Sequence, residues 1–233
     1  MKRHSFSHWT LLIKLKIHGT IDSAIGKGII QKNYFIPFLP KNPIIVEAGA
    51  HKGKDTVQLA RTWPKGVVHA FEPVTGLFEK LESRTKNYPN VRCYQLGLSD
   101  KSGRQEIYIS SGASDGSSSL LKPKGHLKMY PTVYFDNTLE IDAVTLDDWA
   151  RENSIERVDF MWLDLQGMEL NVLQSGMQVI QTVKAIYSEV SQTETYEKQC
   201  LYQELKDWLS LQGFRIEREE IKKGSGNVLF VRH

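Results

Sequence analysis

A short apolar run, Ile44-Ile45-Val46, ends in an acid and opens onto two glycines, in Glu47-Ala48-Gly49-Ala50-His51-Lys52-Gly53-Lys54-Asp55-Thr56. A helical pattern follows over about 53–62. A buried strand that passes through a glycine turn into a helix is the unit of open α/β sheets, which bind ligands at the carboxyl ends of their strands. The alternation continues along the chain. Strands are predicted at 67–71, 91–96, 158–163 and 185–190, with helices over 77–85, 168–175 and 199–212. This rhythm predicts a mostly parallel sheet with helices on both faces.

Other segments break the rhythm. Residues 105–109 alternate polar and apolar, as an exposed or antiparallel strand does. Residues 110–119 hold six Ser and two Gly, and read as a flexible loop that either lies over the site or merely links two strands. Another strand is predicted at 140–146. Two short strands, 214–219 and 227–232, are joined by Lys222-Lys223-Gly224-Ser225-Gly226 and read as an antiparallel hairpin on the sheet edge.

A chain of 233 residues accommodates one domain and a modest extension. Pro37, Pro40 and Pro43 mark the boundary, so residues 1–40 are read as a basic N-terminal helical extension and 41–233 as the main domain. Apolar residues make up 40% and charged residues 24%, which excludes disorder and collagen-like folds. The extension carries six Lys or Arg against Asp22 alone, within a total formal charge of +3. The remainder is therefore slightly acidic, and a nucleic-acid partner is not expected. Trp9, Leu12, Ile13, Ile17 and Ile21 recur at helical spacing. They fit a helix packed on the main domain, a basic arm making weak contact with a membrane surface, or an accessory helix lining an acceptor pocket. No run is long and apolar enough for a transmembrane segment. Cys93 and Cys200 match no disulfide scaffold or zinc pattern, and a reducing, cytoplasmic setting is expected.

Three ligands compete for the glycine turn. A phosphate-cradling loop needs wider glycine spacing and a hydroxyl where Asp55 stands. A dinucleotide loop needs glycine where His51 stands. S-adenosylmethionine has no phosphate but carries cationic groups and a ribose. Glu47 would offset the positive charge, and Glu72, ending the second strand, would accept both ribose hydroxyls. The bland alternative is a tight turn with Glu47 as an incidental surface acid.

The blocks Val46–Gly53, His69-Ala70-Phe71-Glu72-Pro73, Leu98–Gly103, Thr145-Leu146-Asp147-Asp148, Val158–Glu169 and Val172–Gly176 resemble the FkbM-type methyltransferases, in order, over about 44–233. The resemblance implies a Rossmann-like class I methyltransferase fold, a mostly parallel seven-stranded sheet with an antiparallel C-terminal hairpin. It also implies S-adenosylmethionine-dependent O-methylation of a hydroxyl on a sugar or natural-product-like small molecule. Where the family usually has Lys, Glu and Asn, this chain has Trp162, Gln166 and His51. The rival from another class is a catalytically idle cofactor-binding or scaffold protein.

Together these readings nominate Glu47, Gly49, Ala50, His51, Gly53, Thr56, Glu72, Pro73, Leu98, Ser99, Ser118 and Asp164 as cofactor-binding residues. Methyl transfer is an in-line displacement that also removes the acceptor proton, so a positioned base is expected. Asp164, ending the central strand, and Glu189, ending the next, are the catalytic candidates. Glu169 fits helix-start electrostatics. His51 and His126 are weaker base candidates. Tyr130, Tyr134, Tyr196 and Tyr202 are candidates for stacking on a sugar face. No metal is expected.

Overall fold

The computed structural model describes residues 32–233. The amphipathic pattern at Trp9–Ile21 lies outside the described residues. Residues 32–40 form two short 3-10 turns, Lys32–Tyr34 and Ile36–Phe38.

Ten strands follow: β1 Ile44–Ala48, β2 Val67–Phe71, β3 Val91–Tyr94, β4 Gly97–Leu98, β5 Gly103–Gly112, β6 Val133–Val144, β7 Phe160–Leu163, β8 Ala185–Ser191, β9 Phe214–Lys222 and β10 Ser225–Arg232. The helices are α1 Lys54–Thr62, α2 Thr75–Thr85, α3 His126–Met129, α4 Leu146–Glu152, α5 Glu169–Gln174 and α6 Tyr202–Leu211.

Seven strands form one sheet in the order β3-β2-β1-β7-β8-β10-β9. The first five are mutually parallel, and β10 runs antiparallel to both β8 and β9. Strand order reverses beside β1, whose neighbours are β2 and β7. A crevice opens at such a switch point, outside the carboxyl ends of the strands.

Alternation along the central strands divides the core between the two faces. Val46, Met161, Leu163 and Ile186 pack with Leu146 and Trp149 of α4, Val172 and Leu173 of α5, and Leu205 and Leu209 of α6. Ile45, Phe160, Trp162 and Tyr187 pack with Leu59 and Ala60 of α1 and with Phe35. The tail of the extension is thereby seated on the sheet, with Phe35 fully buried.

Three details differ from the pattern reading. Leu146 opens α4 instead of closing a strand, because the Thr145 hydroxyl caps the helix by accepting from the Asp148 N–H at 3.1 Å. The C-terminal strands are longer than expected, because Lys223 and Gly224 both take left-handed backbone angles (φ 53° and 88°) and make a two-residue turn. Strands β4, β5 and β6 form a separate three-stranded sheet, order β4-β6-β5. The serine-rich loop leaves the end of β5 and is tied back to it by mutual backbone hydrogen bonds between Tyr108 and Ser119.

Candidate active site

The glycine turn sits at the switch point. The Asp164 N–H donates to the Ala48 carbonyl at 3.0 Å, locking the ends of β7 and β1 together. A Cβ at Gly49 would stand 2.0 Å from the Asp164 carbonyl oxygen, and φ there is +84°. Glycine is therefore required on both counts. His51 is also left-handed (φ 51°), which aims its N–H at Glu72 Oε2, 2.9 Å away. The Val74 N–H donates to the other Glu72 oxygen, also at 2.9 Å. Glu72 is thus pinned by backbone from two loops, and burial pushes its acid up to about 7. Glu47, on β1, is fully buried, and burial pushes its acid up to about 8 against the opposing pull of the Thr56 hydroxyl. Its Oε2 has no hydrogen-bond partner among the described residues.

These acids face a cavity of about 250 Å³. Its polar side is Glu47, Gly49, His51, Glu72 and Asp164, and Phe71, Leu77, Leu98, Ile107 and Ile141 form apolar wall. The serine-rich loop closes another side through Asp115, Gly116, Ser118 and Ser119. Asp115 anchors it: one oxygen meets His51 Nε2 at 2.9 Å and the other meets Lys52 Nζ at 2.5 Å. The Lys52 hydrogen bond, followed by the neighbouring positive charges, holds the Asp115 acid below its usual range.

A second cavity, of about 350 Å³, lies across Asp164. Asp164, Gln166 and Gly116 line both cavities. Gln166 is the bridge. Its Nε2 donates to Asp164 Oδ1 at 2.8 Å and to Glu189 Oε2 at 2.6 Å. Its Oε1 accepts from the Tyr196 hydroxyl at 3.2 Å. The peptide turns sharply here, with left-handed angles at Gln166 (φ 51°) and Gly167 (φ 105°), and Ser119 Oγ donates to the Gln166 carbonyl at 2.9 Å. A non-glycine residue in this conformation costs roughly 1–2 kcal/mol, and it directs the amide toward both carboxylates. Burial, followed by the charge of Asp164, pushes the Glu189 acid well above its usual range. Glu169 accepts from the N–H groups of Leu165 and Gly167, and burial pushes its acid up to about 7. His126 is buried among Tyr130, Phe135 and Tyr196, with its Nδ1 unpartnered among the described residues. Burial lowers its pKa.

This arrangement suits a ligand with a cationic end, a diol and an apolar ring system. The cavity offers a buried carboxyl oxygen of Glu47 without a partner among the described residues, the backbone-held Glu72, and an apolar wall. The sequence of the methyltransferase FkbM domain matches residues 47–216. The chain belongs to the FkbM methyltransferase family. It is an S-adenosylmethionine-dependent methyltransferase. This family member is 29% identical over 220 residues to 2-O-methyltransferase NoeI of Sinorhizobium fredii (strain NBRC 101917 / NGR234), a match covering 92% of this chain and 84% of the relative. It is 26% identical to methyltransferase sdnD of Sordaria araneosa, covering 80% of this chain and 79% of that protein. In fold it is similar to the Methanococcus jannaschii fibrillarin pre-rRNA processing protein, with a TM-score of 0.52, 15% identity, and coverage of 90% of this chain and 72% of that one.

Within this methyltransferase, Glu47, Gly49, Ala50, His51, Glu72, Pro73, Leu98, Ser118 and Asp164 all line the first cavity. Three nominated residues do not. Gly53 caps α1 with φ +73°, where a Cβ would come within 2.7 Å of Leu81 Cδ1. Thr56 is buried on α1 beside Glu47. The Ser99 hydroxyl is held by Asp100 Oδ1 at 3.1 Å and Gln105 Oε1 at 3.0 Å. Glu189 lines the second cavity, not the first, as do Tyr130 and Tyr196. Tyr134 is exposed, and Tyr202 donates to Glu219. Among the described residues, no group of three or more His, Cys, Asp or Glu is arranged to hold a metal ion. The sequence reading missed Asp115 and the bridging role of Gln166. The departure from the family's Glu at position 166 was the available signal for the second.

Proposed function

We propose that this methyltransferase methylates a hydroxyl oxygen of a saccharide or a natural-product-like small molecule held in the second cavity. S-adenosylmethionine, when bound, supplies an activated methyl group. Glu47, Glu72 and the turn from Gly49 to His51 would hold it in the first cavity. The observation that carries the reading is the Asp164–Gln166–Glu189 bridge, set in the wall where the two cavities meet.

A sugar or alcohol hydroxyl is a weak acid, and its oxygen is a better nucleophile as the proton departs. On this reading Glu189 takes that proton. Burial raises its proton affinity, and the Gln166 amide fixes the carboxylate so that its orientation is set before the acceptor arrives. Asp164 is the carboxylate common to both cavities, with a bond from the same amide. The remaining lining includes Ser191, Thr193, Thr195, Gln199, Tyr130 and Tyr196, which offer hydroxyls, an amide and ring faces. Among the described residues, no Lys or Arg lines this cavity, and the acids Asp164, Glu169 and Glu189 do. The charge balance favours a neutral or amine-bearing acceptor over a phosphorylated or acidic one. Similarity to a 2-O-methyltransferase supports oxygen as the methylated atom.

The test is a screen of purified protein with radiolabelled methyl donor against neutral glycosides, amino sugars, sugar phosphates, small phenols and RNA. The reading predicts label in a neutral or amino sugar, or in another uncharged hydroxyl compound. Label in RNA or in sugar phosphates alone would contradict it.

A further inference from the structure

The segment preceding β1 reaches the cofactor cavity. Phe35 anchors it, with ring centroids 5.2 Å from Phe160, 5.9 Å from Trp162 and 5.3 Å from Tyr187. The Tyr34 ring lies 4.4 Å beneath the Arg218 guanidinium. Held at these two points, the segment places Lys32 against the domain with its side chain 13% exposed. The Lys32 ammonium meets Asp55 Oδ1 at 2.5 Å and stands 4.3 Å above the Trp162 ring. Asp55 and Trp162 both line the first cavity, and so does Glu47.

Glu47 has an unfavourable setting for a carboxylate that must stay charged. Its own burial presses it most strongly toward the neutral acid, and Asp55 on α1 and Asp164 after β7 add to that. The Thr56 hydroxyl and the Lys32 ammonium act the other way. The thiol of Cys93 on β3 also senses the Glu47 charge. A neutral Glu47 is a poor partner for a cationic ligand group, because most of the attraction is lost with the charge. A cation outside the cavity wall, held by one carboxylate and one ring face, favours the charged form without blocking the site.

We propose that Lys32 is a positioning residue of the cofactor site: delivered by the segment before the first strand, its ammonium pairs with Asp55 above the Trp162 ring and offsets the negative charge beside Glu47, the acid that receives the cofactor's cationic end. The segment before β1 is on this account part of the binding site.

The experiment is calorimetric titration of S-adenosylhomocysteine into wild type, K32M, K32R and the double variant K32M/D55N, across pH 6.5 to 9. The ligand's own amine titrates identically in every arm, so only differences between variants count. K32M is expected to bind about tenfold more weakly at pH 7.5, and to recover as pH rises. K32R should retain wild-type behaviour. K32M/D55N should regain much of the lost affinity, because removing Asp55 relieves the repulsion that Lys32 had countered. If K32M does not fold, the double variant and K32R carry the test, with melting curves as the control. Unchanged affinity and pH dependence in K32M would overturn the proposal. So would a loss independent of pH that D55N does not repair, since that marks Lys32 as packing alone. Absence of binding by the folded wild type would overturn the cofactor site itself and this proposal with it.

Discussion

The two cavities that meet at Asp164 are built by different means. The first is made mainly by backbone. Glycine at position 49 lets two strand ends touch, and the N–H groups of His51 and Val74 hold Glu72 in place. Its chemistry lies within three short stretches near the ends of β1, β2 and β7. The second is made by side chains brought together from distant parts of the chain. Gln166 follows β7, Glu189 lies near the end of β8, and Tyr196 lies beyond it, while His126 comes from the small sheet's long connection. A site held by backbone tolerates little change. A site held by side chains can be altered without disturbing the sheet.

That contrast can be broken most forcefully at Glu189. Replacing it by Gln should lower kcat by about 10²–10⁴-fold, the usual contribution of a positioned base, with the acceptor found in the screen. S-adenosylhomocysteine binding should stay as in wild type. Loss of cofactor affinity instead would show that the two cavities are not separable.

Stability against pH sharpens the same division. Burial raises the acids of Glu47 to about 8 and of Glu72 and Glu169 to about 7, from 4.5 in the unfolded chain. Groups raised in this way contribute stability that is fully present below about pH 4.5 and is lost as pH rises through 7 to 8. The ligand-free protein should therefore be less stable at pH 8.5 than at pH 5, and should melt at lower temperature there. Added S-adenosylhomocysteine should flatten the curve if Glu47 and Glu72 dominate. A curve that keeps its slope would place the effect in the second cavity.

Much of this division is visible in the sequence. Glu47, Gly49 and Glu72 follow from strand ends and a glycine turn, because their roles depend on neighbours a few residues away. The parallel sheet and its antiparallel edge follow from alternating strands and helices. What escaped was set by contacts between distant segments. The separate three-stranded sheet depends on β5 pairing with β6 across a long connection. Asp115 stands in a serine-rich stretch with no local pattern, and only the fold brings it to His51 and Lys52. Ser99 shares a segment with Leu98, yet the side chains separate: Leu98 lines the cavity, while Ser99 bonds to Gln105.

Asp115 gives the smallest expected effect. Its ion pairs are half exposed, and such pairs contribute about 0.2–1 kcal/mol. Asp115→Asn should weaken S-adenosylhomocysteine binding by about threefold at low salt, and the difference should fade as salt screens the wild-type pair. A much larger loss would mean that the serine-rich loop belongs to the backbone-built cavity and does not merely cover it.

The central claim is that the first cavity holds the cofactor and the second holds the acceptor. The most direct test is titration of S-adenosylhomocysteine into folded Glu72→Ala and Glu189→Gln, side by side with wild type. Hydrogen bonds to a charged group are worth about 1.5–3 kcal/mol each, so Glu72→Ala should lose about 100-fold or more in affinity. Glu189→Gln should bind as wild type does. Equal losses in both, or no loss in Glu72→Ala, would contradict the account.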